Sequence, residues 1–274
     1  MQNNCDKTVS TISKFKYQPE KIVAGTLYEY TKSNLDGSHP IPVHIYVAAA
    51  NRLEVLKVSW GRGTNSLVCA SMDWETFSVH LLNSYFVLPA KRYKGRPVPP
   101  PGMLTAQAQG AFWPDENVFE ATMPGIVNRV LVHYMPFHVY NFDLTSLNYV
   151  FRHLVDPQTS FEVGIVDPDW DTVAQYRKGK KPGSMFAYKG KAVVEYVGEE
   201  LCNQKLCRKY TMGGPGMGNK SGFIWVNKDK EYFERVEHPQ FDNPEWTNFK
   251  IDLKSIDRIT YSQWLDLIAE KSMK

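Results

Sequence analysis

Apolar and polar residues alternate along most of this chain with a period of two, the pattern of strands that turn one side toward a core. The stretch 42–49 shows it most cleanly: Val43, Ile45, Val47 and Ala49 fall on one face, His44 and Tyr46 on the other. Comparable stretches over 21–33, 53–60, 66–77 and 79–88 are separated by polar breaks such as Asn34-Leu35-Asp36-Gly37 and Gly61-Arg62-Gly63-Thr64-Asn65. Strands joined by loops this short form an antiparallel meander, because a parallel pair needs a long crossover. Further strands are predicted over 103–112, 118–123, 127–140, 160–166, 185–189, 191–201, 206–212, 222–227 and 232–237.

Two stretches change period. Asp143 offers a cap, and Leu144, Leu147, Val150, Phe151 and Leu154 recur at helical spacing until Asp156-Pro157 ends the run. Near the C-terminus, Thr260 and Gln263 stand at capping-box spacing ahead of a helix over 261–271, with Trp264, Leu265 and Ile268 as its apolar face. The segment 90–102 breaks the strand pattern differently. It is basic over 91–96 and then carries Pro97, Pro99, Pro100 and Pro101, which cannot donate to a ladder. It reads as a surface excursion, a candidate lid or a seam between half-sheets. The expected fold is therefore all-β and mainly antiparallel, a curved or partly open barrel or sandwich with two short helices. A flexible segment over 1–20 precedes a single β domain over 21–274.

Composition narrows the function classes. Net charge is only +3, with 32 Lys and Arg against 29 Asp and Glu, too even a balance for a nucleic-acid surface. No apolar run reaches the length of a membrane-spanning helix. Residues 1–21 are polar and hold no apolar signal core, so the protein is either cytosolic or the mature form of an exported one. Cys5 fits a trimmed lipoprotein, against the plainer reading of an incidental cysteine. Cys69 lies in the apolar run Leu67-Val68-Cys69-Ala70 and reads as a small buried hydrophobe. Cys202 and Cys207 bracket a short polar turn, and a hairpin with a four-residue loop would oppose them at disulfide distance, which implies an oxidising compartment.

From Phe142 onward the order of features resembles an uncharacterised family of bacterial envelope β-proteins known only as a domain of unknown function. Phe142-Asp143-Leu144-Thr145-Ser146-Leu147-Asn148-Tyr149-Val150-Phe151-Arg152 is similar to that family's helix of Asp, small residue, aromatic and Arg between two sheets. The likeness continues in the strand over 191–198, the hairpin from Cys202 to Cys207, and Gly222-Phe223-Ile224-Trp225-Val226-Asn227. It covers the C-terminal half, while the N-terminal meander agrees in type only and the basic, proline-rich insert departs from it. The resemblance implies a twisted, partly open barrel in the bacterial periplasm, akin to lipoprotein-carrier folds, and it implies no reaction.

Several motifs invite chemistry and lack a part of it. The run Gly213-Gly214-Pro215-Gly216-Met217-Gly218-Asn219-Lys220-Ser221-Gly222 suggests a phosphate loop, but Asn219 interrupts the Gly-Lys pair and a strand follows where a helix is needed. A flexible hairpin loop is the plainer reading, and at a barrel mouth such a loop could act as a gate. Asp167, Asp169 and Asp171 alternate like a calcium loop, yet Thr172 and Lys178 occupy the positions of its Gly and its bidentate Glu. His133 and His138 lie five apart and on a regular strand face opposite ways, so no shared metal is expected. Arg177, Lys178, Lys180 and Lys181, with the basic stretch 91–96, could meet an anionic membrane surface but read first as solvated loop tips.

The aromatic content, 13% of residues, is the most informative feature. Tyr28, Tyr46, Trp60, Trp74, Tyr85, Trp113 and Trp225 sit in or beside strands and on both faces of the alternation. A sheet with one solvated face would be polar on that side, so either both faces are covered or one lines a cavity. These seven residues are the expected lining of a site for a hydrophobic small molecule or lipid, with no cofactor, metal or nucleic acid involved. Two alternatives stand beside carriage: an enzyme of cyclase or isomerase type using His44 or Glu195 in the same cavity, and a structural envelope protein.

Overall fold

The computed structural model describes residues 9–58, 65–88, 91–93, 96–98, 104–139, 142, 144–179, 184–239 and 248–272. Its strands in chain order are β1 (Val9–Ser10), β2 (Thr26–Asn34), β3 (Ile41–Ala49), β4 (Arg52–Lys57), β5 (Asn65–Asp73), β6 (Ser78–Val87), β7 (Lys91–Tyr93), β8 (Arg96–Val98), β9 (Leu104–Trp113) and β10 (Val118–Met123). They continue as β11 (Ile126–Leu131), β12 (Tyr134–Met135), β13 (Phe137–Val139), β14 (Phe161–Pro168), β15 (Phe186–Cys202), β16 (Lys205–Gly214), β17 (Lys220–Asn227), β18 (Phe233–Pro239) and β19 (Asn248–Arg258). The helices are α1 (Thr145–Phe151), α2 (Trp170–Arg177) and α3 (Tyr261–Lys271).

One large sheet organises the protein. Its fifteen strands run in the order β11-β10-β9-β6-β5-β4-β3-β2-β19-β18-β17-β16-β15-β14-β13. Every neighbouring pair is antiparallel except β13 and β14, which are parallel. The forward meander from β2 and the reverse meander from β19 meet at one ladder, Phe249 opposite Asn34 through Arg258 opposite Thr26. The sequence reading lacks β19 altogether, although Phe249, Ile251 and Leu253 alternate with Lys250, Asp252 and Lys254. That strand makes one sheet of the two arms.

The sheet curls until its two ends approach without joining in a ladder. Side chains bridge the gap: Asn128 Oδ1, from β11, accepts the Phe186 N–H of β15 at 2.6 Å and the Ser184 hydroxyl at 2.9 Å. Phe119 contacts both Phe137 and Phe186 across the same seam. The result is the all-β, partly open, strongly curved architecture that the alternation predicts.

Turn chemistry fixes the hairpins. Asp36 Oδ1 accepts the Ser38 N–H at 2.8 Å, and Gly37 takes φ +84° in the β2–β3 turn. In the β15–β16 hairpin the connection is two residues long, Asn203 and Gln204, both left-handed. This corrects the expected four-residue loop. Cys202 stands opposite Lys205 and Cys207 opposite Glu200, so the two cysteines share a face but are offset along the ladder, and both are free. The strands expected over 185–189 and 191–201 are one strand, β15, bent where Gly190 takes φ +111°. Helix α2 occupies a stretch expected to be an acidic turn and a basic loop. Asp169 Oδ1 accepts the Thr172 N–H at its start, at 3.2 Å.

Of the segment 1–20, residues 9–20 are described and lie against the sheet. β1 pairs in parallel with β12, and Phe15 bridges to Leu154 and is buried. β6 and β9, which flank the proline-rich insert, pair directly with each other.

Both faces of the sheet are covered, by different elements. On the concave face, side chains of both arms converge on α1, all of whose residues are buried. On the convex face, α3 lies over β2 to β5 and packs Trp264 and Ile268 against Leu27, Tyr46, Leu56 and Leu67. The Thr260–Gln263 capping box starts α3 as its spacing predicts, although Leu265 points outward and Ala269 is buried instead.

Candidate functional site

Helix α1 is the polar centre of an apolar interior. Thr145, Asn148 and Arg152 recur at helical spacing and form a stripe that would be solvated on an amphipathic helix. Here the stripe is enclosed. Asn148 Nδ2 donates to the Tyr30 hydroxyl at 3.2 Å, that hydroxyl donates to the Phe233 carbonyl at 2.9 Å, and the Phe233 N–H donates to Asn148 Oδ1 at 2.9 Å. This closed triangle ties α1 to β2 and β18. Burial raises the Tyr30 phenol well above its ordinary range, against the Asn148 hydrogen bond. At the start of the helix, Ser146 hydrogen-bonds His138 of β13.

Arg152 follows the helix and is 3% exposed. Its Nη1 donates to the Tyr28 hydroxyl at 3.0 Å and reaches the Lys21 carbonyl at 3.5 Å. The guanidinium carbon lies 4.3 Å from the ring centre of Tyr149 and 5.1 Å from that of Tyr28, cation–π geometry at both. His153 is fully buried next to it, edge-on to Trp74 and Tyr17. Burial, then the charges of Arg152 and Lys21, push its imidazole down to about 3. Its Nδ1 accepts the Gln18 N–H at 3.3 Å, which a neutral ring can do.

The structure separates the aromatic residues singled out in the sequence. Tyr28 lies in the interior, and Trp74 packs against its rim, stacked on Tyr17. Tyr46 is on the convex face, stacked on Trp264 at 5.2 Å. Tyr85 stands opposite Leu67 and therefore shares that outer face. Trp113 is exposed. Trp225 is also on the outside, against Cys202 and Cys207, with its indole N–H donated to Glu200 at 2.5 Å. Trp60 lies outside the described residues. Aromatic residues occur on both faces because α3 covers one and the interior the other, a distinction that alternation alone does not draw.

The remaining candidates have local roles. The glycine run folds inward: Met217 is buried in the core, and a side chain at Gly216 would meet the Gly190 carbonyl at 2.8 Å, so this loop is packed where a flexible one was expected. His44 is buried 3.1 Å from Glu29, with its pKa lowered by burial, and His80 is exposed. Glu195 is exposed on the outside of β15, away from the enclosed core. Among the described residues no three His, Cys, Asp or Glu side chains gather as a metal site.

The sequence reading gave no role to Glu54, Asn148, Tyr149 or Arg152. Buried Glu54 accepts the Trp264 indole N–H at 2.7 Å and pairs with Arg52 at 2.7 Å, anchoring α3. Polar residues inside a strand and a helix were the available signal, but a solvated face produces the same signal.

No family model matches the chain. No curated protein matches its sequence. Solved structures with a similar fold include a β-barrel-like protein of the domain of unknown function DUF1849 from Brucella abortus, at 6% identity and TM-score 0.44, covering 86% of this chain and 98% of that one. A domain ascribed to outer membrane lipoprotein sorting from Vibrio parahaemolyticus has 6% identity and TM-score 0.29, covering 89% of this chain and 91% of that one. A DUF1329 family protein from Desulfovibrio piger has 9% identity and TM-score 0.24, covering 87% of this chain and 88% of that one.

Proposed function

We propose that the protein binds and carries a hydrophobic small molecule or lipid on the concave face of its curled sheet, in the bacterial envelope. One observation carries the reading: an apolar interior, enclosed by a sheet whose ends are not laddered together, holds a seven-residue helix with no side-chain N-cap. A helix that short has almost no stability of its own and stays in place through tertiary contacts. Parting the Asn128 seam opens a way to the apolar side chains around the helix without breaking any rung of the main ladder. Such side chains bind apolar ligands through area removed from water, about 25 cal/mol for each Å². Tyr28 belongs to this site and Trp74 to its rim. The envelope location follows the sequence resemblance.

The test is native mass spectrometry of the purified protein, then organic extraction and identification of whatever is released, with uptake of a fluorescent apolar probe measured in parallel. A stoichiometric lipid or apolar metabolite, or saturable probe uptake, supports carriage. A protein that releases nothing and takes up no probe is a packed structural domain, and the reading fails.

A further inference from the structure

The Arg152 guanidinium is buried with half of its hydrogen-bonding edge unused. Nη1 is engaged by Tyr28 and by the Lys21 carbonyl, but Nε and Nη2 are both buried and have no acceptor. These two nitrogens lie side by side on one edge of the planar group, the edge that grips a carboxylate or phosphate with two parallel hydrogen bonds. Among the described residues no carboxylate pairs with the guanidinium, and the groups that act on its charge are the phenols of Tyr149, Tyr28 and Tyr30. Glu231, the acid that pairs with the Lys21 side chain, also pairs with Arg208 at 3.6 Å. The adjacent His153 is held neutral and carries no charge to offset that of Arg152. The Tyr149 hydroxyl, whose ring stacks on the guanidinium, is also buried without a partner.

An arginine stays charged at every relevant pH, and a buried charge without a counterion is strongly destabilising. Cation–π contact with two tyrosines offsets part of that cost and leaves the fork unsatisfied. A residue used only for packing would not need this arrangement; a receptor for an anion would. The tyrosine rings stacked on the guanidinium and the apolar core around α1 favour an anion that brings a hydrocarbon body with it over a small hydrated ion.

We infer that the Nε–Nη2 edge of Arg152 receives the anionic headgroup, carboxylate or phosphate, of an apolar-chain ligand, with the Tyr149 hydroxyl as a further donor. This rests on the carriage reading and sharpens it from any hydrophobic molecule to an anionic amphiphile. Arg152 is then the residue that sets orientation, headgroup against α1 and chain along the concave face.

The experiment compares a dansyl-labelled undecanoic acid with its methyl ester, in the wild-type protein and in Arg152→Met, Arg152→Lys and Tyr149→Phe. The wild type is expected to bind the acid about tenfold or more tightly than the ester. Arg152→Met is expected to lose that preference while keeping its affinity for the ester. Arg152→Lys, which keeps the charge and loses the fork, recovers only part of it, and Tyr149→Phe weakens the acid alone. Replacing an unpaired buried charge by an apolar side chain of similar length leaves the fold intact or raises its melting temperature, and a structural arginine would do the opposite. Equal binding of acid and ester by the wild type overturns the headgroup assignment and leaves carriage standing. Binding of neither sinks carriage itself. If inorganic phosphate alone stabilises the wild type and not Arg152→Met, and neither probe binds, the edge serves a free anion and the headgroup assignment is wrong.

Discussion

Asn148 and Tyr30 meet in the interior, amide nitrogen to phenol oxygen at 3.2 Å, and each also binds the backbone of Phe233. Three hydrogen bonds close into a ring that satisfies every group in it and fixes α1 against two distant strands. Buried polar rings of this kind specify one arrangement of the core, because any displacement leaves several groups unpaired at once. Replacing Asn148 with Leu leaves the Phe233 N–H buried and without an acceptor. Urea unfolding is expected to show a loss of about 2 kcal/mol. An unchanged midpoint would mean that the ring does not hold the helix.

The seam gives a second, smaller prediction. Asn128→Ala removes the acceptor of the Phe186 N–H and the Ser184 hydroxyl at a partly buried site, worth about 1 kcal/mol. Hydrogen exchange of the Phe186 amide should quicken well before that of the central β2–β19 ladder. Uniform acceleration throughout the sheet would show that the seam is no separate opening.

His153 makes stability depend on pH in a definite direction. The unfolded imidazole takes up a proton below about 6.5, while the folded one does so only at about 3. Its contribution is complete above the unfolded value and is lost as pH falls between the two, at a slope approaching about 1.4 kcal/mol per pH unit. Burial lowers His44 and His238 as well, so they add to the same acid limb. His153→Gln is expected to flatten the dependence between neutral and mildly acidic pH in denaturant titrations. Parallel curves for variant and wild type would place the proton elsewhere.

The β15–β16 turn holds a non-glycine residue where glycine is favoured. Gln204 sits at φ +63°. The left-handed conformation crowds its Cβ against the backbone, so Gln204→Gly is expected to stabilise the protein by about 0.5–1 kcal/mol, read from its thermal midpoint. A lower midpoint would mean that flexibility gained by the unfolded chain outweighs the strain relieved.

Cys69 should be inert. Burial, then the neighbouring Glu54 carboxylate, pushes its thiol up to about 12. Near pH 8 its alkylation should run about a thousandfold slower than that of an ordinary thiol. Peptide mapping after timed iodoacetamide treatment of the native protein checks this, and rapid labelling at Cys69 would contradict it.

The strand content, the meander and both long-sequence helices could be read from the sequence because they depend on local patterns. A period of two, a capping box at Thr260 and a turn at Asp36-Gly37 act within a few residues, and they describe both the chain and the fold. The disulfide expected of Cys202 and Cys207 failed on a local detail: two left-handed residues shorten the turn and shift the register. Other features were beyond local pattern. β19 gains its importance from pairing with a strand more than two hundred residues earlier, and no window of sequence contains that ladder. Alternation told that the aromatic residues fall on both faces of their strands, but not that Tyr28 meets Arg152 after α1 and Tyr46 meets α3. Nor could it tell that the polar stripe of α1 is buried. A polar face on a helix looks the same in sequence whether water or a closed sheet surrounds it. Local sequence determined the elements and their amphipathic faces; which face was enclosed, and so where an unpaired arginine carries meaning, depended on long-range pairing that only the tertiary structure supplies.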